Sequence, residues 1–262
     1  MVNCELVIIG REILQGIVHD TNSYWLCKEL LKLGIRVNRI YVVDDSKEEI
    51  KEIFSIIFKR KPNIVITTGG LGPTYDDITV ESVSEAINAE LIEDPKALEI
   101  VVEACKRGNL ELTKERRKMA LIPKGSIALN NPIGTAPGVY INYENIHIFL
   151  LPGVPIEMKS IFENEVKKYL LNIEGREFYS EFYLKIFGIA ESDLAPILKN
   201  YREKYFPVYF KSHPKGAGEE SKHILLHVWY LSKKIEDLKI MDEIKEKLIN
   251  DLSKVAQKIE VE

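Results

Sequence analysis

Cysteine is scarce in this sequence. Cys4, Cys27 and Cys105 are isolated, none in a Cys-x-x-Cys pair. Each falls in an apolar stretch, so buried free thiols in a reducing compartment are expected, not a disulfide framework or a zinc site. Histidine is sparse too, with five residues and no metal-ligand spacing. His223 and His227 alternate with apolar neighbours and read as a surface-facing pair on one strand face, and His213 before Pro214 reads as a loop residue. No apolar run approaches membrane-spanning length. Glu5 interrupts the short apolar start and Arg11 and Glu12 follow, so no signal peptide is expected and a cytoplasmic location is. No long Lys/Arg run occurs and the formal net charge is -4, which argues against a nucleic-acid groove. The basic stretch from Lys114 to Lys118 is diluted by Glu115 and reads as a solvated helix face.

What is present is a core. Hydrophobic residues make up 45% of the 262 positions and charged residues 29%, which suits one large soluble domain or two smaller ones. The first part alternates strand and helix signals. Leu6 to Ile9, Ile35 to Val43 and Ile64 to Ile66 read as strands. Helices are expected from about Asp20 to Leu33, after the Ser46–Glu49 capping box, from Asp77 to Ile87, and from Asp94-Pro95 to Gly108. Val139 to Ile141 and Ile146 to Leu150 read as a hairpin, and Pro155 to Leu170 as a helix. Strands alternating with helices predict a three-layer α/β domain with a mostly parallel sheet. The pattern changes near residue 172. Beyond it, strands at 178–187, 207–210 and 223–230, a helix at 190–201 and a long charged helix predict a small α+β domain. The expected division is 1–172 and 173–262.

One segment stands out: Thr67-Thr68-Gly69-Gly70-Leu71-Gly72-Pro73-Thr74-Tyr75-Asp76-Asp77-Ile78-Thr79. It follows a strand, and ligands of open α/β sheets bind beyond the carboxyl ends of strands. Three glycines within four residues permit positive φ and bring N–H groups close to a ligand. A helix beginning near Asp77 would add free N–H groups and a positive dipole end. Thr67, Thr68 and Thr74 supply hydroxyls. There is no Gly-Lys-Ser/Thr, so this is not a P-loop, and no Gly-x-Gly-x-x-Gly.

Asp76 and Asp77 complicate an anion site. A carboxylate and a phosphate ~4 Å apart repel by roughly 4 kcal/mol at an effective dielectric of about 20. A helix N-terminus returns only about 0.3–1 kcal/mol, up to roughly 2. If phosphate binds, the two aspartates imply a divalent cation with oxygen ligands. The alternative is that Asp77 caps the helix and Asp76 is solvated.

The segment resembles the signature of the CinA amino-terminal family, itself similar to the MoaB/Mog-type molybdopterin-binding fold. Gly10 to Gly16 with Asp20 to Ser23 resembles the family's opening, Asn131 to Gly138 its central loop, and Leu151 to Met158 its late loop. Phe187 to Ser192 and His213-Pro214 resemble its second module. Arg11 stands where the family usually has an acid. No counterpart of the family's carboxyl-terminal deamidase domain is seen within the 262 residues, so deamidase activity is not expected. The resemblance implies a pyrophosphatase that depends on Mg, Mn or Co and acts on ADP-ribose or a similar nucleoside diphosphate sugar. An alternative is a protein of cofactor biosynthesis that binds or adenylylates molybdopterin; another is a non-catalytic nucleotide-binding module.

The expected site follows. Asp76 and Asp77 hold the metal and, with Glu157, act in catalysis. Asn22, Thr68, Gly69, Gly70, Leu71, Gly72, Thr74, Gly134, Thr135, Pro152 and Gly153 contact a phosphorylated nucleotide or pterin. Asn22 has the alternative of a helix cap, the loop around Thr135 that of a rigid turn, and Glu157 that of an acid placed in a first helical turn. Short strands beyond residue 172 offer edges for a homo-oligomer, a dimer or trimer.

Overall fold

A computed structural model describes residues 2–215 and 223–262. The chain divides into two compact units, residues 1–31 with 35–174 and residues 32–34 with 175–262.

The first unit opens with β1 (Asn3–Ile9), α1 (Arg11–Leu14), α2 (Asn22–Lys32), β2 (Arg36–Val43), α3 (Lys47–Arg60) and β3 (Ile64–Thr68). Next come α4 (Thr79–Ala86), β4 (Leu91–Glu93), α5 (Pro95–Arg107), α6 (Lys114–Lys118), β5 (Leu121–Pro123) and β6 (Ile127–Leu129). It ends with β7 (Gly138–Tyr143), β8 (Ile146–Leu151), α7 (Pro155–Ile161) and α8 (Lys167–Leu171), the last two joined by a π turn at Phe162–Val166. Six strands form one sheet in the order β2-β1-β3-β8-β7-β6. β2, β1, β3 and β8 are parallel, and β7 and β6 add antiparallel.

The apolar runs explain this layering. All five residues of β3 are buried, as a strand covered on both faces requires. On one face Val7, Ile9, Val65, Ile148 and Leu150 join Ile50, Phe54 and Ile57 of α3 and Ala97, Val101 and Cys105 of α5 in a single core. Burying each such large side chain contributes about 1.5–3 kcal/mol. The alternate residues Leu6, Ile8, Ile64 and Ile66 are equally buried, as are Leu26 and Leu30 of α2 and Met158 and Ile161 of α7. Local signals fix the helix starts. Ser46 accepts from the Glu49 N–H at 3.3 Å, and Asp94 accepts from the Ala97 N–H at 2.8 Å ahead of Pro95.

The second unit contains β9 (Phe178–Phe187), α9 (Glu191–Lys204), β10 (Tyr209–Lys215), β11 (His223–Ser232), α10 (Ile240–Leu252) and β12 (Lys258–Val261). Its antiparallel sheet has the order β10-β11-β9-β12. Leu184, Ile186, Leu226 and Val228 pack on one face with Leu194 and Leu198 of α9 and Ile244 and Leu248 of α10. Two histidine expectations are corrected here. His213 lies inside β10, not in a loop, because an edge strand tolerates the following Pro214. His227 is half-buried instead of surface-facing: it contacts the Glu181 carboxylate at 2.7 Å and stacks between Tyr183 and Trp229. His223 packs on the Phe187 ring. Cys4 and Cys105 are buried and free, whereas Cys27 is half-buried. No helix among the described residues is long and apolar enough to cross a membrane.

Candidate functional site

The chain turns after β1, β3 and β8 meet at the carboxyl end of the sheet. The Gly69 N–H donates to the Leu151 carbonyl at 3.0 Å. Gly69 has φ +109° and Gly70 +68°, a region costly for residues with a Cβ. A Cβ added at Gly69 would stand 2.1 Å from the Ile9 carbonyl oxygen, and one at Gly153 would stand 3.3 Å from the Gly69 Cα. The Asn22 side-chain amide donates to the Gly153 carbonyl at 2.7 Å, tying the start of α2 to the turn after β8. A crevice of about 580 Å³ opens where these turns converge.

The Gly-rich turn forms one wall. No hydrogen bond among the described residues uses the N–H groups of Gly70, Leu71 or Gly72. The helix expected from Asp77 begins two residues later, at Thr79, with Ile78 before it and no side-chain cap. Two bonds cause the delay. The Thr79 N–H donates to the Gly70 carbonyl at 3.1 Å, and the Thr79 hydroxyl donates to the Gly69 carbonyl at 2.9 Å. Asp77 therefore caps no helix. Its carboxylate folds back to accept from the Thr74 N–H at 2.8 Å and from the Thr74 hydroxyl at 2.6 Å. Asp76 accepts from the same hydroxyl. One hydroxyl proton serves one carboxylate at a time, so a second acceptor oxygen is left over. The Thr74 hydroxyl bond and the Asp76 backbone N–H hold the Asp76 carboxyl below its ordinary pKa, aided by Lys118 and Arg11. The Lys118 ammonium donates to the Thr74 and Asp77 carbonyls at 2.9 and 2.8 Å, closing the turn from outside.

The opposite wall is the loop before β7. Asn131 is fully buried at its base. Its amide donates to the Ala136 carbonyl at 2.8 Å and to Glu157 Oε2 at 2.7 Å. Its carbonyl oxygen accepts from the N–H groups of Ile133 and Gly134 at 3.2 and 2.8 Å. Glu157 stands in the first turn of α7, after Pro155 at the helix start. Four bonds at roughly 0.5–1.5 kcal/mol each predict that Asn131→Ala lowers stability by about 2–6 kcal/mol in chemical denaturation. A loss under ~1 kcal/mol would show that the loop is held by its prolines instead.

Among the expected contacts, Asn22, Thr68, Gly69, Gly70, Leu71, Gly72, Thr74, Asp76, Asp77, Thr135, Pro152, Gly153 and Glu157 line the crevice. Gly134 does not. It lies against the Glu157 carboxylate, and its carbonyl accepts from Arg107 at 3.1 Å. Leu71 lines the crevice but is also part of the core.

Asp20 and Thr21, which the sequence placed beside Asn22 at a helix start or the crevice, line it, and so do Glu12 and Asp45, which were not picked out from the sequence. Glu12 and Asp45 follow the carboxyl ends of β1 and β2, the same positional rule that marked the Gly-rich turn. Among the described residues, no Lys or Arg lines the crevice. Burial raises the Asp45 carboxyl pKa, and nearby Glu12, Asp44 and Asp76 add to the rise against a bond from the Arg11 N–H. The Thr68 hydroxyl and the Asn22 carbonyl oxygen are buried without a hydrogen-bond partner. Buried polar atoms ordinarily have a partner.

The donor set permits one type of metal site. No group of three or more His, Cys, Asp or Glu residues among those described could hold a metal by itself. Asp76 and Asp77 nevertheless present carboxylate oxygens in a crevice lined by no Lys or Arg among the described residues. This fits a Mg²⁺-type ion that takes one or two carboxylates and completes its shell with phosphate and water.

Residues 5–172 match the family described as "Probable molybdopterin binding domain". A protein from Sulfurisphaera tokodaii is 44% identical over 221 residues, covering 84% of this chain and 83% of that one. One from Sulfolobus acidocaldarius is 37% identical over 256 residues, covering 97% and 95%, so that match runs through both units. The crystal structure of CinA from Thermoplasma acidophilum, described as of unknown function, is 34% identical. It aligns with a TM-score of 0.60 over 64% of this chain and 99% of its own.

Proposed function

The chain belongs to the CinA amino-terminal family of probable molybdopterin-binding domains with a MoaB/Mog-like fold, and from that premise we propose that its crevice binds a phosphorylated pterin of molybdopterin type together with a divalent cation. The observation that carries the reading is the crevice's unmatched polarity. Gly70, Leu71 and Gly72, with unused N–H groups, and Thr68 and Asn22, with a buried unpartnered hydroxyl and carbonyl oxygen, all line a crevice that also holds Glu12, Asp20, Asp45, Asp76, Asp77 and Glu157. The N–H groups of the turn donate to phosphate oxygens, and the Thr68 hydroxyl adds a further donor. The Asn22 oxygen accepts from a ligand N–H or O–H. Asp76 and Asp77 hold Mg²⁺, Mn²⁺ or Co²⁺, which when bound offsets phosphate–carboxylate repulsion and polarises phosphorus.

A second reading, hydrolysis of a pyrophosphate link in ADP-ribose or a similar nucleotide, is favoured by Glu157. Asn131 fixes one of its oxygens, and the other, Oε1, has no hydrogen bond among the described residues. A carboxylate held in this way is placed to take a proton from water. The pterin-binding reading ranks first because the family matched over residues 5–172 is described as a probable molybdopterin binding domain.

Titration calorimetry with a pterin phosphomonoester and with ADP-ribose, each with Mg²⁺ or EDTA, tests both readings. Removing the cation is expected to weaken phosphate binding about a hundredfold or more, from a repulsion of roughly 4 kcal/mol. Equal affinity in EDTA would overturn the shared-cation site. AMP release from ADP-ribose would promote the hydrolase reading, and its absence alongside tight pterin binding would remove it.

A further inference from the structure

A second recess of about 370 Å³ adjoins the crevice and shares Glu12, Asp45 and Asp76 with it. It adds Arg11, Gln15, Tyr75 and Ile78. Tyr75, at the tip of the Gly-rich turn, is 93% exposed and lines the recess. Arg11 stands in α1 and also lines it.

Arg11 is oriented in advance. Its backbone N–H donates to Asp45 Oδ2 at 2.9 Å, and its Nε donates to Asp44 Oδ1 at 2.8 Å. No hydrogen bond among the described residues uses its two terminal nitrogens. A guanidinium held through Nε keeps its outer edge and its planar faces for a ligand. Tyr75 has no comparable anchor, and a phenol ring left in water at the mouth of a polar crevice offers a stacking face. The rest of the recess suits a heterocycle carrying amino groups: Glu12 and Asp45 accept from N–H, and Gln15 both accepts and donates.

We propose that this recess is the ring subsite of the same ligand, in which Tyr75 and Arg11 hold a planar, amino-substituted heterocycle while its phosphate reaches the Gly-rich turn. The proposal rests on the phosphate reading of the crevice. Adenine and pterin share the required chemistry, a flat ring with an exocyclic amine, and the experiment separates them.

Calorimetry on the full chain with Mg²⁺ compares AMP, a pterin phosphomonoester and ribose 5-phosphate, which has the phosphate but no ring. The unaltered protein is expected to prefer at least one ring-bearing ligand, and which one identifies the heterocycle. Tyr75→Ala is expected to weaken that ligand about tenfold to a hundredfold, the range for loss of one ring stack, and to leave ribose 5-phosphate unchanged. Tyr75→Phe restores the stack. An equal loss for ribose 5-phosphate, no loss at all, or no rescue by Phe overturns the subsite while leaving the phosphate site standing. Failure of all three ligands to bind the unaltered protein overturns the phosphate reading, and the subsite with it.

Discussion

Gly69→Ala is expected to lower the stability of the first unit by about 2–6 kcal/mol, combining left-handed backbone strain with overpacking, and to abolish ligand binding. The added methyl would lie 2.1 Å from the carbonyl oxygen of Ile9, a buried residue at the end of a central strand. That oxygen belongs to the backbone and cannot swing aside as a flexible side chain would. The φ of +109° adds strain regardless of space. Relief requires the turn to lift away from β1, which also pulls the Gly69 N–H off Leu151 and displaces the donors at Gly70 to Gly72. Gly16→Ala is the control. Its φ is +70°, but nothing lies within 4 Å of the added Cβ, so only the backbone term, about 1 kcal/mol, is expected. Urea unfolding monitored on both variants checks the contrast. Equal losses would mean that the approach to Ile9 relaxes easily.

The same glycines show why so much of the fold was legible. A strand buried on both faces reads as a near-continuous apolar run, and Leu6–Ile9 of β1, Ile148–Leu151 of β8 and Ile64–Ile66 of β3 announce themselves in that way. The hairpin of β7 and β8 was readable from two apolar runs around a short polar turn, and Val139 pairs with Leu150 as such a hairpin requires. The three-residue strands β4, β5 and β6 carry too little pattern to be seen. The π turn at Phe162–Val166 was also hidden, because one extra residue in a turn shifts an apolar stripe without breaking it. At β10, proline chemistry misled: Pro214 suggested a loop, although the strand's outer position leaves room for a missing N–H.

The site was legible where chemistry is local. Glycine spacing, neighbouring hydroxyls and paired aspartates lie within one segment. The contributions of Glu12 and Asp45 arise only when β1, β2 and β3 are placed side by side, because these acids are distant from the turn in sequence. Asn131 was visible as part of a loop, but its bond to Glu157 spans 26 positions and cannot be read from spacing. The true start of α4 was set by a tertiary demand as well: Thr79 satisfies the carbonyls of Gly69 and Gly70 before any helix begins.

That distinction between local and assembled roles determines the most informative test of Asp77. Asp77→Asn is expected to keep the turn and lose cation-dependent binding about a hundredfold. The side-chain oxygen of Asn can still accept from the Thr74 N–H and hydroxyl, the two bonds that the carboxylate makes at 2.8 and 2.6 Å. The Lys118 clips to the Thr74 and Asp77 carbonyls involve only backbone oxygens and persist. What disappears is one negative charge of the pair. Attraction between unit charges at ~4 Å is roughly 4 kcal/mol at an effective dielectric of about 20, larger for a divalent ion, so a hundredfold loss is a conservative expectation. Asp77→Ala removes the turn bonds as well and is expected to lose stability along with binding. Thermal unfolding and Mg²⁺-dependent calorimetry on both variants separate the two roles. If Asn binds the phosphorylated ligand as well as Asp does, Asp77 is a turn-closing residue and the cation is held elsewhere. If Asn loses stability as Ala does, the carboxylate charge itself is holding the turn, most directly through the Thr74 N–H.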